Sequence, residues 1–134
     1  MAYILVTNNL MVNEKYTKNG NRHLKRIDYR PEADLIGILT VVRDLVHQGH
    51  ELLTHPLTGS IKPYETPFKS ICVGAETGPV QMMSVMIIEE AIGTAKKFLK
   101  DQRSVVYPES VLEDFRTIDL SLIDSGIESI CAMG

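Results

Sequence analysis

The chain has few cysteines and no long apolar run. Its 134 residues contain only Cys72 and Cys131, which stand in unrelated contexts. A disulfide framework or a redox dithiol needs paired cysteines, so neither is predicted, and a reducing, cytoplasmic location fits best. The longest apolar stretches, residues 35–39 and 85–88, are far shorter than the ~20 residues that cross a bilayer. No membrane association is expected.

The sequence also lacks an excess of positive charge. Its 14 Lys and Arg stand against 17 Asp and Glu, which gives a formal net charge of -3 at pH 7. Because nucleic-acid-binding proteins use clustered cations to neutralise phosphates, DNA and RNA are not expected partners. No repeat or Gly/Ser linker divides the chain, so one α/β domain is predicted over residues 1–134. A homo-oligomer is compatible with all of these features.

Strand and helix patterns alternate along the chain and predict an α/β fold. The expected architecture is a small mainly parallel or mixed sheet flanked by helices, with Rossmann-like or flavodoxin-like layering and extra C-terminal helices. Because residues 55–67 show no helical period, a long hairpin between the last two strands is the alternative to a right-handed crossover. Strands are predicted at residues 3–7, 22–29, 50–54 and 69–74, and helices at residues 10–18, 31–48, 85–99 and from 108 onward, the last with a break or bend near Asp119.

The most regular pattern is the helix predicted at residues 31–48. Its apolar residues recur with the i, i+3, i+4, i+7 spacing that places them on one face, against the sheet. Pro31 suits the first helical turn, and Gly49 suits the left-handed position that follows the last turn. The apolar face consists of Leu35, Ile38, Leu39, Val42, Leu45 and Val46.

Three stretches of the chain carry a resemblance to a known family. They are Thr7-Asn8-Asn9, DLVHQGHELLTHPLTGS at residues 44–60 and LEDFRTIDLSL at residues 112–122. With these stretches and their spacing, the chain resembles the X protein family of the glycine reductase operons. That family is an accessory component encoded beside the selenium-dependent reductases that reduce glycine, sarcosine or betaine to acetyl phosphate. The resemblance implies reductase components as partners and assigns no catalytic residue.

Polar residues gather where predicted strands end, and ligands collect at such ends in sheets wound with helices. The loop after His55 adds two hydroxyls, a glycine and a lysine, a set that a phosphate or carboxylate satisfies. The alternative is that the paired asparagines only cap or turn the chain and that the loop is only stiffened by its prolines. The predicted small-anion site consists of Asn8, Asn9, His55, Thr58, Gly59, Ser60 and Lys62.

Three other groups of residues receive structural interpretations. A group of histidines matches no known metal spacing, so no metal is expected. A group of acids is interpreted as an exposed helix face, and a group of methionines as core packing, with an adaptable partner surface as the alternative. The groups are His47, His50 and His55; Glu113, Asp114 and Asp119; and Met82, Met83 and Met86.

Two functions remain open. In the first, the chain is an accessory or regulatory protein of the selenium-dependent glycine, sarcosine or betaine reductase system, with neither catalysis nor a cofactor of its own. In the second, it is a small enzyme or ligand-binding module for an anionic acetyl, carboxylate or phosphate metabolite of that pathway. The lack of a recognisable nucleophile and base favours the first, and the polar loop favours the second.

Overall fold

The computed structural model describes residues 1–57, 67–100 and 106–132, apart from the side chain of Lys100. The helices and strands in these ranges follow the predicted order. They are β1 (Tyr3–Thr7), α1 (Leu10–Asn19), β2 (Leu24–Tyr29), α2 (Leu35–His47), β3 (His50–Leu52), β4 (Ser70–Thr77), α3 (Met82–Lys100) and α4 (Glu109–Ala132).

The four strands form one mixed sheet in the order β2-β1-β4-β3. β1 and β2 are parallel, as expected for strands joined through a helix, here α1. β4 runs antiparallel to both of its neighbours, β1 and β3. The predicted α/β fold is therefore confirmed in its mixed form, and β3 and β4, the last two strands in the described ranges, are antiparallel, as the hairpin alternative requires.

Helices cover both faces of the sheet and give the predicted three-layer arrangement. Because side chains of a strand alternate between the faces, Ile4 and Val6 of β1 pack with α2 and α3, whereas Tyr3 and Leu5 pack with α1 and α4. All five residues of β1 are buried. This double coverage explains why β1 is a continuous apolar run and not an alternating one.

Helix α2 has the predicted apolar face, and all six residues of that face are buried. Its start differs from the prediction. Asp34 caps the helix, with its side chain accepting a hydrogen bond from the backbone N–H of Gly37 at 2.8 Å, so the placement of Pro31 in the first helical turn is wrong. The end agrees, because Gly49 has a φ of 104° and takes the left-handed position.

Helix α4 runs unbroken from Glu109 to Ala132, so the predicted break near Asp119 is wrong. An aspartate inside a helix costs only about 0.7 kcal/mol relative to alanine, which is too little to end a long helix. The Asp119 carboxylate also bonds to residues outside α4, so it does not compete for the helix's own N–H groups.

Candidate functional site

The sheet topology brings the ends of three strands and the start of the fourth to one place. β1 and β2 finish together because they are parallel, and β4 begins beside the end of β1, where Thr7 pairs with Ser70. β3 also finishes at this end, because it is antiparallel to β4. Asn8, Asn9 and His55 of the predicted anion site therefore follow strands that finish at the same end of the sheet.

Asn8 ties three segments of the backbone together at this end. Its side-chain N–H groups donate to the carbonyls of Ala33 at 2.8 Å and Pro67 at 2.9 Å. Its side-chain oxygen accepts from the N–H of Lys69 at 2.8 Å. Both amide hydrogens of Asn8 are thus donated within the protein, and the side chain holds the approach to β4 against the end of β1.

Asn9 is fully buried and joins α1 to α4. Its side-chain oxygen caps α1 by accepting from the N–H of Met11 at 3.0 Å. Its side-chain N–H groups donate to the carbonyl of Arg116 and to Oδ2 of Asp119, both at 3.0 Å. Asn9 therefore has the capping role that was the alternative interpretation of the sequence, and it also contacts α4.

Asp119 lies at the centre of a buried polar network, so its interpretation as part of an exposed helix face is wrong. Its Oδ1 accepts from the backbone N–H of Ser70 at 3.1 Å, and its Oδ2 bonds to the Ser70 hydroxyl at 2.7 Å and to Asn9. The Ser70 hydroxyl in turn lies 2.7 Å from Oγ1 of Thr7.

Burial raises the pKa of Asp119, although the hydrogen bonds and Lys69 oppose that shift. Glu113 and Asp114 are exposed, as predicted.

Lys69 is a buried lysine directly before β4, with only 7% of its surface exposed. Burial lowers the pKa of its ammonium, and the charge of Asp119 opposes that shift. Among the residues that the structure describes, no carboxylate lies within the 4.0 Å of an ion pair with this ammonium. Lys69 therefore brings a buried positive charge to the site without a close counter-charge in the described part of the chain.

A pocket of about 430 Å³ opens between the end of β3, the start of β4 and α4. Lys69, Ser70 and Asp119 border it together with His55, an exposed residue whose Nδ1 accepts from the N–H of Leu57 at 3.1 Å. The proton of the neutral imidazole is then on Nε2. Apolar and hydroxyl side chains complete the described lining, among them Leu53, Thr54, Leu122, Ile123, Ser125 and Ser129.

The remaining residues of the predicted anion site, Thr58, Gly59, Ser60 and Lys62, lie outside the described residues. The anion site in its full form stays a prediction. Lys69 and Ser70 border the pocket but are not among the residues predicted from the sequence. A lysine directly before an apolar strand is the signal that could have drawn attention to that position.

The groups of histidines and methionines from the sequence also have defined positions. His50 is buried, and its Nδ1 lies 2.7 Å from the carbonyl oxygen of Gly74. Within residues 1–57, 67–100 and 106–132, no group of three metal-ligating side chains is arranged around a common point. Met82, Met83 and Met86 are all exposed, so their interpretation as core packing is wrong.

The fold and the site define a small α/β protein with a ligand-sized pocket at one end of a mixed sheet. Within the described residues, no helix has the length and apolar character to cross a membrane. The chain belongs to the GrdX-like protein family, whose family model matches residues 4–128. This membership associates it with the glycine reductase operons, as the resemblance implied. Searches of curated proteins and of solved structures found no match to the chain.

Proposed function

We propose that the chain is an accessory component of the selenium-dependent glycine, sarcosine or betaine reductase system, and that it acts by binding another protein of that system without catalysis of its own. Family membership supports the association with the reductase system, and one structural observation supports binding to another protein as the mode of action. That observation is an exposed apolar surface at the start of α3, which we call the methionine surface and define as Val80, Met82, Met83 and Met86.

The methionine surface has the chemistry of a protein contact. Met82, Met83 and Met86 are 68%, 69% and 60% exposed, respectively, within little more than one helical turn. Isolated exposed apolar residues are ordinary on proteins, whereas a contiguous group marks a contact surface. Methionine side chains are flexible and polarisable, so they adapt to the shape of a partner. No acidic residue stands in the first turn of α3, so a partner covers that turn without desolvating a carboxylate.

Capture of purified reductase components by the immobilised chain tests this proposal. The wild type is expected to retain one component, and Met82→Lys with Met86→Lys is expected to weaken retention at least about tenfold, because two charges would enter an apolar contact. Leu10→Lys is the matched control, since Leu10 is also exposed and apolar but begins α1, on the opposite face of the sheet.

Two outcomes would refute the docking role. One is that the wild type retains no component, and the other is that the double variant retains it equally well. Light scattering of the same proteins separates a further case. If the double variant changes the oligomeric state instead, a second copy of the chain covers the methionine surface.

The pocket favours a second function, that of a binding module for an anionic acetyl, carboxylate or phosphate metabolite. The supporting observation is that His55, a residue of the predicted anion site, borders the same pocket as the buried cation Lys69. Calorimetric titration with acetate, phosphate and acetyl phosphate tests it. Lys62→Met should weaken anion binding by about 1.5 to 3 kcal/mol if the predicted loop supplies a charge-assisted contact. Equal anion affinity of that variant and the wild type would remove Lys62 from the site.

A further inference from the structure

A buried cation and a buried anion border one pocket without forming a close ion pair. Lys69 and Asp119 are 7% and 5% exposed, and both line the 430 Å³ pocket beside α4. Among the described residues, neither has an opposite charge within 4.0 Å. We propose that this pocket binds a small zwitterion, whose carboxylate pairs with the Lys69 ammonium and whose cationic nitrogen lies against the Asp119 carboxylate.

The Lys69 ammonium needs an anionic partner. Removing an ammonium from water is strongly unfavourable unless an anion and hydrogen-bond acceptors replace the water. Within the described residues, Lys69 forms hydrogen bonds through its backbone and none through its ammonium, although the ammonium has three hydrogens to donate. Within the described ranges, no polar side-chain atom that is sealed from solvent lacks a partner, and Lys69 borders the pocket. A carboxylate in the pocket would supply the missing charge and the missing acceptors.

The Asp119 carboxylate needs a cationic partner. Its oxygens accept hydrogen bonds from the Ser70 backbone, the Ser70 hydroxyl and Asn9, all of which are neutral groups. These bonds hold the carboxylate in place but do not neutralise its charge. The same burial that raises its pKa therefore makes a cationic group favourable beside it. A cationic nitrogen in the pocket would supply that charge.

Charge balance distinguishes a zwitterion from a simple anion. The site already holds one positive and one negative charge, so a monoanion would leave the buried pocket with a net negative charge and a dianion would leave more. A zwitterion adds one charge of each sign and compensates both residues, which matters most where the dielectric constant is low. Ligand pockets range from about 300 to 1,000 Å³, so a pocket of 430 Å³ has room for a molecule of amino-acid size. Its apolar walls suit the ligand's hydrocarbon part.

Titration of the full chain with whole and divided ligands tests the inference. Glycine, alanine and trimethylglycine are the zwitterions, acetate is the carboxylate alone, tetramethylammonium is the cation alone, and phosphate is the unrelated anion. At least one zwitterion should bind at least about tenfold more tightly than acetate, tetramethylammonium or phosphate, because only it compensates both charges. Acetate or phosphate binding as tightly as every zwitterion would overturn the inference and would support the anionic-metabolite function instead. Absence of zwitterion binding at millimolar concentration would overturn it as well.

Substitution of Lys69 separates a binding role from a structural one. Lys69→Met keeps the apolar stem and removes the charge, so zwitterion affinity should fall by roughly tenfold to a hundredfold. The denaturation midpoint should stay equal or rise, because the variant no longer buries an uncompensated charge. Lys97→Met, at an exposed position of α3, is the control and should change neither quantity. Unchanged affinity in Lys69→Met, or a fall in its midpoint with no change in affinity, would overturn the assignment.

Substitution of Asp119 tests the recognition of the cationic group. Asp119→Asn keeps the size of the side chain and removes its charge, so the preference for a zwitterion over acetate should disappear. A preference as large as that of the wild type would contradict the assigned contact. If this variant does not fold, the ligand series and the Lys69→Met comparison still decide the proposal.

Discussion

Replacing Asn9 with alanine is expected to lower the free energy of unfolding by about 4 kcal/mol. The Asn9 side chain is fully buried and makes three hydrogen bonds of 3.0 Å, to the N–H of Met11, the carbonyl of Arg116 and the carboxylate of Asp119. The variant would lose the cap of α1 and both contacts with α4. It would also leave a buried carboxylate with one donor fewer.

The magnitude follows from the three bonds taken separately. Loss of an asparagine cap costs about 1 kcal/mol. A hydrogen bond to a neutral carbonyl contributes about 1 kcal/mol, and one to a charged group contributes about 1.5 to 3 kcal/mol. Because a protein of ordinary stability has only about 5 to 15 kcal/mol in total, this single change removes a large part of it.

Urea denaturation followed by circular dichroism measures the effect. With a denaturant slope of about 1 to 3 kcal/mol/M, the midpoint should fall by roughly 2 M. Asn19→Ala is the control, because Asn19 is the exposed last residue of α1 and its replacement should change stability by less than about 0.5 kcal/mol. A loss of only about 1 kcal/mol in Asn9→Ala would mean that the cap is all that Asn9 contributes, and the joint between α1 and α4 would then be refuted.

Three further predictions concern stability. Val42→Asp, at a fully buried position of α2, should cost about 3 kcal/mol or more, and an unchanged midpoint would contradict the packing of α2 on the sheet. Gly49→Ala should cost at least about 1 kcal/mol because φ is 104° there and backbone fills the Cβ position, whereas Gly93→Ala, in an open helical position, should be neutral or stabilising. Because burial raises the pKa of Asp119, the wild type should be most stable relative to Asp119→Asn below pH 3.8 and lose that advantage as pH rises through the folded-state pKa. Denaturation midpoints of both proteins across that range measure the difference, and a constant difference would contradict the raised pKa.

Local patterns were sufficient to predict most of the fold. The apolar run of β1 and the regular apolar spacing of α2 are each decided by a few neighbouring residues, and both elements are where the sequence places them. The start of α2 was misplaced because two residues compete for it. Pro31 is compatible with a first turn, but the Asp34 side chain satisfies a free helical N–H directly, and that bond fixes the first residue.

The centre of the site could not be predicted in the same way. Asp119 stands four residues from Phe115 and from Ile123, so it lies on the same helical face as these two apolar residues. That position is a local sign of burial. Its partners, however, depend on the antiparallel register of β1 and β4, which pairs Thr7 with Ser70. That contact joins residues 63 positions apart, and no local pattern specifies it.

Two of the stretches that carry the family resemblance border the pocket, and the third bonds to one of its lining residues. Asn9 belongs to the first stretch and bonds to Asp119 of the last, and His55 of the middle stretch borders the same cavity as Asp119. The resemblance and the site therefore rest partly on the same residues, although these are distant along the chain. Asn9 also shows that capping and site-building are not exclusive, because one side chain caps α1 and positions a buried acid.

Docking and ligand binding should be separable, because the proposed sites lie on opposite faces of the sheet. The methionine surface belongs to α3, which packs with α2, whereas the pocket is bounded by α4, which packs with α1. Substitutions far apart with no shared partners usually act independently. Met82→Lys with Met86→Lys should therefore keep wild-type ligand affinity, and Lys69→Met should keep wild-type capture of a reductase component. Titration and capture assays on both variants measure this. A loss of both functions in either variant, with an unchanged denaturation midpoint, would show that the two faces are coupled and would contradict independent sites.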